Sequence, residues 1–156
     1  MPFNEEEYAI SSDLENITER LVVYLDQENT HGESWDYYCN GQIVRAAVYK
    51  NRISGTVREL NDEYYIQITA DEHEITSSCS CGSRDQVCKH VISLLYSWVN
   101  DRDGFLDVGK VIKQLYSMEK ADLVSVIERI LQTDPSTARF VKPPDEEFED
   151  FFEDGF

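Results

Sequence analysis

Three of the chain's four cysteines and one of its three histidines fall within twelve positions, in the run CSCGSRDQVCKH at residues 79–90. The chemistry lies with Cys79, Cys81, Cys88 and His90. Thiolate sulfur and imidazole nitrogen are donors that suit a zinc ion, which takes four of them in a tetrahedron. Cys79 and Cys81 are two residues apart, and in an extended strand such positions face the same side. Both sulfurs can then face one ion. Cys88 and His90 repeat the two-residue step where a helical pattern begins. The intervening GSRDQV contains Gly82, which permits a tight reversal. The count closes at three Cys and one His. A catalytic zinc keeps a position open for water and a structural one does not. The spacing therefore predicts one structural Zn2+ and no catalytic group.

Bulk properties bound the rest. At 156 residues the chain has the length of one ordinary domain, and a hydrophobic share of 41% is enough for a core. No apolar run approaches the roughly 20 residues of a membrane helix. The start, MPFNEEEYAI, lacks the pattern of a secretory signal. Bunched rather than scattered cysteines favour metal over disulfide and a reducing compartment, so a soluble, cytoplasmic protein is expected. The net charge of -17 is uneven: -9 over residues 1–40, -2 over 41–78, +1 over 79–102 and -7 over 103–156. The cysteine run is thus the least acidic part, between acidic arms.

The elements that must position the cluster can be read from period. Leu14, Ile17, Leu21, Tyr24 and Leu25 recur at helical steps and predict one helix over 12–28, with Ser12 and Glu15 as a capping box. NTHGES at 29–34 ends it. QIVRAAVYKN and RISGTVREL are β-branched and separated by a turn at Lys50–Asn51–Arg52. In YYIQIT, Tyr64, Ile66 and Ile68 face one way and Tyr65, Gln67 and Thr69 the other, as in a half-buried antiparallel strand. Residues 41–81 therefore read as a meander that delivers Cys79 and Cys81 at its end. KHVISLLYSWVN at 89–100 is apolar on most sides and predicts a central helix. Two more helices follow at about 107–117 and 120–132, and Asp134–Pro135 ends the second and caps a short turn. KPPDEEFEDFFEDGF carries prolines and acids without a period, the composition of a disordered tail.

The cysteine run resembles the SWIM zinc finger, whose pattern is C-x-C, a variable gap, then C-x-H. The stretch YYCNGQIVRAAVYKNRISGTVRELNDEYYIQI resembles the strands that precede the finger in small prokaryotic SWIM proteins, and MEKADLVSVIERILQTDP resembles a helix that often follows. The likeness spans about residues 35–135. It implies a ββα zinc unit of the kind found in Swi/Snf-type ATPases, Mutator-like transposases and recombination mediators, where such units are thought to bind DNA or proteins. An iron–sulfur rival, the CDGSH type, also begins C-x-C, but its third cysteine is followed by Asp and its histidine lies four residues beyond. Here Lys89 follows Cys88 and the histidine lies two residues beyond.

Other motifs lead nowhere. His31–Gly32–Glu33 has the H-x-E of zinc deaminases without their P-C-x-x-C. His73–Glu74 begins like H-E-x-x-H, but Ser77 stands at the last position. Cys39 reads as a buried small apolar residue, with a reactive thiol as the alternative. There is no P-loop, G-x-G-x-x-G or G-x-S-x-G, so the chain does not read as an enzyme.

Phosphate binding draws on Lys and Arg, and the cations are few: Arg84 and Lys89 in the finger, and Arg45, Lys50, Arg52 and Arg58 on the hairpin, where the three arginines could form one modest basic stripe. Phe148, Phe151, Phe152 and Phe156 interleave with acids and resemble the acidic tip of bacterial single-strand DNA-binding proteins, a partner-recruiting hook. The expected fold is α+β: an antiparallel β-meander and a ββα zinc finger, with an N-terminal helix and a C-terminal helical pair. The expected segments are an acidic helical segment at 1–34, the SWIM-type zinc-finger domain at 35–102, C-terminal helices at 103–142 and an acidic aromatic tail at 143–156. The expected role is an interaction module, an accessory subunit for a DNA-metabolism ATPase or recombinase. The alternatives are direct nucleic-acid binding through the basic stripe, or an acidic regulator that mimics nucleic acid.

Overall fold

The computed structural model describes residues 3–72, 74–82 and 87–141. By its internal contacts the chain divides into two units, Met1–Lys113 and Gln114–Phe156.

The first unit is α+β, as the periods predict. It opens with helices α1 (Ser12–Glu15), α2 (Glu19–Asn29) and α3 (Glu33–Cys39). The meander follows as β1 (Ile43–Tyr49), β2 (Arg52–Glu59), β3 (Asp62–Asp71) and β4 (Glu74–Cys79). Helix α4 (Lys89–Asn100) and the two-residue β5 (Leu106–Asp107) come next. The sheet order is β4-β3-β2-β1-β5, antiparallel throughout except that β5 lies parallel to β1.

Strand alternation puts Ile53, Gly55 and Val57 of β2 and Ile66, Ile68 and Ala70 of β3 on one face, where all six are buried. Helix α4 lies against that face. Val91, Ile92, Leu94, Leu95 and Trp98 are at most 2% exposed, which is why its sequence is apolar on most sides. The fit is close: a methyl group at Gly55 would come within 2.8 Å of Leu94 Cδ1. From the other side Leu14, Ile17 and Val22 complete the core, and the Trp98 indole N–H donates to the Leu14 carbonyl at 2.8 Å. Helices α1 and α2 thus pack into the same body as the sheet.

The helix predicted over 12–28 is two helices. Thr18 interrupts it with an extended backbone, and its hydroxyl accepts from the Leu21 N–H at 3.2 Å, capping α2. The rotation this introduces buries Val22 and Asp26 and leaves Leu21 and Tyr24 exposed. Ser11, not Ser12, caps α1, accepting from the Asp13 N–H. Residues 33–39, where the sequence reading has the end of a helix break at 33–34 and, from Tyr37, a likeness to the strand region, form helix α3, which packs on α4 with Ser34 fully buried.

Helix α5 (Val108–Ser117) crosses the division between the units. In the second unit, α6 (Lys120–Thr133) has no buried side chain. The Asp134 carboxylate accepts from the Ser136 N–H and opens a 3-10 turn at Pro135–Phe140, as the sequence predicts. No helix among the described residues is long and apolar enough to cross a membrane.

Candidate metal centre

The cluster forms where the sheet ends and α4 begins. Register places Cys79 opposite Ile66, on the face that packs against α4. Pairing then continues past the strand: the Ser80 N–H donates to the Tyr65 carbonyl at 3.0 Å, and the Tyr65 N–H donates to the Ser80 hydroxyl at 2.8 Å. This carries Cys81 forward to Gly82, which has φ +73°. Across the gap, Cys88 is the N-cap of α4 and His90 stands in its first turn.

Cys79 Sγ lies 3.6 Å from His90 Nδ1, and Cys88 Sγ lies 3.9 Å from it. The four donor atoms are all within 4.8 Å of one another. Zinc–sulfur and zinc–nitrogen bonds of about 2.3 and 2.0 Å make tetrahedral edges of about 3.8 Å between sulfurs and 3.5 Å from sulfur to nitrogen. The residues present therefore fit a tetrahedral metal ion.

Charge at the site points the same way. The Cys88 thiol is pushed down, chiefly by the hydrogen bond from Cys79. Burial opposes this, while His90 and the helix N–H groups of Val91 and His90 add to it. Cys79 is pushed up by the same bond and by burial. The His90 imidazole, despite its burial, is held up to about 9 by Cys88 and Glu59. Crowded electron-rich donors need positive charge among them, which a shared proton supplies once and a divalent ion supplies twice.

The support around His90 was not legible in the motif. His90 Nε2 donates to Glu59 Oε1 at 3.1 Å, turning Nδ1 toward the sulfurs. Glu59 stands at the end of β2 in step with Ile53, Gly55 and Val57, so alternation carries it to the core face. It also accepts from the Tyr37 hydroxyl and pairs with Lys89 Nζ at 3.5 Å. The bond from Tyr37 lowers its pKa most; burial opposes, and His90 adds to the lowering. Tyr64 stacks on the imidazole at 4.7 Å and Tyr37 meets it edge-on at 5.6 Å. A carboxylate on the far nitrogen and rings on either side fix both the tautomer and the orientation of a metal-ligating histidine. A cleft of about 410 Å³ opens beside the centre, lined by His31, Glu33, Tyr64 and Lys89 among others.

The candidate cations do not converge. Arg45 and Arg58 both pair with Glu63, at 3.2 and 3.1 Å. Arg52 is exposed at the other end of β2, about 20 Å away at the usual rise per residue. Lys89 is held by Glu33 and Glu59 and lies over the Tyr37 ring. Arg84, His73 and the phenylalanines at 148, 151, 152 and 156, with the rest of the 143–156 tail, lie outside the described residues. Cys39 corrects the reading made of it: it is exposed at the C-terminal end of α3 and takes no part in the core. Its position just before the Asn40–Gly41 turn leaves nothing to cover it.

The chain matches no protein-family model, no curated protein and no solved structure.

Proposed function

We propose that the chain is a SWIM-type structural zinc protein, with one Zn2+ held by Cys79, Cys81, Cys88 and His90, and that it serves as an interaction module. The observation that carries this reading is the closed donor set, three thiols and one imidazole within 4.8 Å, with the second imidazole nitrogen held by Glu59. Such a centre joins the end of the sheet to the start of α4 and sets no coordination position aside for a substrate. Three thiolates and one zinc ion leave the surroundings near neutral or acidic. Among the described residues, Arg45, Arg58 and Lys89 are engaged by Glu63, Glu33 and Glu59, which disfavours phosphate and favours a protein partner. The SWIM resemblance of the ligand run supplies the partner class, a DNA-metabolism ATPase or recombinase, and cytoplasmic residence goes with it.

Elemental analysis of the freshly purified chain tests the metal: one zinc per chain is expected, and metal-free folded protein overturns the reading. Co-purification with the tagged intact chain tests the role. Recovery of a recombinase or remodelling ATPase is expected. Retention on duplex DNA at physiological salt that weakens in Arg45→Ala and Arg58→Ala would replace the partner reading with the nucleic-acid one.

A further inference from the structure

Helices α3 and α4 build a second feature, separate from the metal ligands. Trp35, Tyr38 and Tyr96 form a contiguous aromatic group, with ring centroids 5.4 Å apart for Trp35–Tyr38, 5.1 Å for Trp35–Tyr96 and 6.1 Å for Tyr38–Tyr96. The base of the group is fixed. Tyr96 is 3% exposed, and its hydroxyl donates to the buried Asp26 carboxylate at 2.7 Å. The top is open: Trp35 is 42% exposed, and its indole N–H has no hydrogen-bond partner among the described residues. The contrast with Trp98, fully buried and bonded to Leu14, shows that Trp35 is not there to fill the core.

A carboxylate stands at the edge of this group. Tyr38 donates its hydroxyl to Asp101. That bond, then burial, then the charges of Asp101 and Glu19, hold the Tyr38 phenol up to about 12. Glu19 also acts on Tyr96. Arg102, next in the chain to Asp101, lies instead over the Trp98 ring at 4.4 Å. A rigid, half-exposed tryptophan beside a tyrosine, with carboxylates at the edge, is suited to a cation: the ring faces attract it through their quadrupoles and the acids through their charge. Tryptophan and tyrosine are also the residues most often found to dominate protein interfaces.

We infer that Trp35 and Tyr38 form the docking platform for a cationic side chain, an arginine or lysine, presented by a protein partner. This deepens the interaction-module reading and rests on it for the partner being a protein. The acids around Tyr38 would steer the encounter, and the ring faces would supply the short-range contact.

The test uses the intact, isotope-labelled chain and a blocked hexapeptide alternating arginine and serine. Its control is the same peptide with citrulline, which keeps the shape of arginine without the charge. The Trp35 indole resonance is expected to move on titration with the arginine peptide and to stay still with citrulline, while Trp98 is unmoved by either. Trp35→Ala is expected to weaken binding by about two- to thirty-fold, the range of a cation–π contact, whereas Trp35→Phe keeps most of it. Asp101→Asn should weaken binding and flatten its salt dependence. An unmoved Trp35 resonance, or equal affinity in Trp35→Ala, would mean that the peptide is held by the general acidity of the surface and would overturn the proposal. Circular dichroism and metal content of each variant separate the two readings. Trp35→Ala that keeps its fold and metal but binds unchanged refutes only the platform, and metal-free folded protein refutes only the zinc reading.

Discussion

Glu59 accepts a hydrogen bond from Nε2 of His90 at 3.1 Å across 31 residues of chain, and so a carboxylate from the middle of the meander sets the orientation of a ligand on the helix. The relationship predicts a measurable asymmetry between binding and holding the ion. Glu59→Gln should retain all four ligands yet lose about ten- to a hundred-fold in metal affinity, the usual cost of removing such a support. Competition with a chromophoric chelator reads this directly, and an unchanged affinity would show that the contact is incidental.

Removing a ligand is more severe than removing its support. Apparent binding free energies of structural zinc in isolated finger peptides are about 10–16 kcal/mol at neutral pH, and that binding drives folding. Cys81→Ser should therefore abolish stoichiometric zinc and lower the melting temperature, with loss of the helical signal of α4. A strong chelator added to the native chain should do the same. A variant that melts where the native chain does would remove the structural role.

Asp26 predicts a pH effect. It is 2% exposed and accepts from the Thr30 hydroxyl at 2.5 Å, the Gly32 N–H at 3.0 Å and the Tyr96 hydroxyl at 2.7 Å. Burial alone would raise its pKa, but these bonds and one from the Ser34 backbone outweigh it and the net shift is downward. A carboxylate with a depressed folded pKa stabilises the fold above its unfolded value of about 3.9, and that stability is lost as pH falls through the folded value. Asp26→Asn should be less stable than the native chain by about 1–3 kcal/mol at neutral pH, from the bonding groups left poorly matched. The gap should narrow below about pH 4. Denaturant melts at pH 7 and pH 3.5 check both halves, and a gap that is constant with pH would contradict the assignment.

A glycine in a helix is ordinarily improved by alanine, by roughly 1 kcal/mol. Gly109 of α5 should show the opposite sign. A methyl group there would fall 2.6 Å from the Tyr8 carbonyl oxygen and 3.2 Å from Asp107 Oδ1. The obstacle is backbone, so the N-terminal segment must shift, at a cost of about 1–3 kcal/mol typical of overpacking. Gly109→Ala is expected to lower the melting temperature and to speed proteolysis near residues 3–10; a more stable variant would show that the approach is looser.

Local pattern revealed some of this architecture and not the rest. The alternation in YYIQIT and the nearly all-apolar KHVISLLYSWVN were readable because a half-buried strand and a buried helix leave unmistakable periods. The donor run at 79–90 was readable because its residue types and spacing are themselves the chemistry. Helix α3 was not. Its ESWDYYC is rich in aromatics that favour strands, and seven residues are too few to form a helix alone. Packing on α4, with the Ser93 hydroxyl donating to the Ser34 carbonyl at 3.1 Å, decides its conformation. The break at Thr18 was hidden because the apolar period runs across it. Glu59 was hidden because a lone acid at a strand end looks solvated until the pleat is followed from Ile53.

Helix α4 carries the candidate ligand His90 in its first turn and, eight residues on, the indole that grips Leu14. The two ends lie about 12 Å apart along one rod. A disturbance at the cysteines would be expected to reach the opposite pole, where Trp98 sits in the core. Its emission would redden as the ion leaves, giving the molecule a built-in optical gauge of its own occupancy.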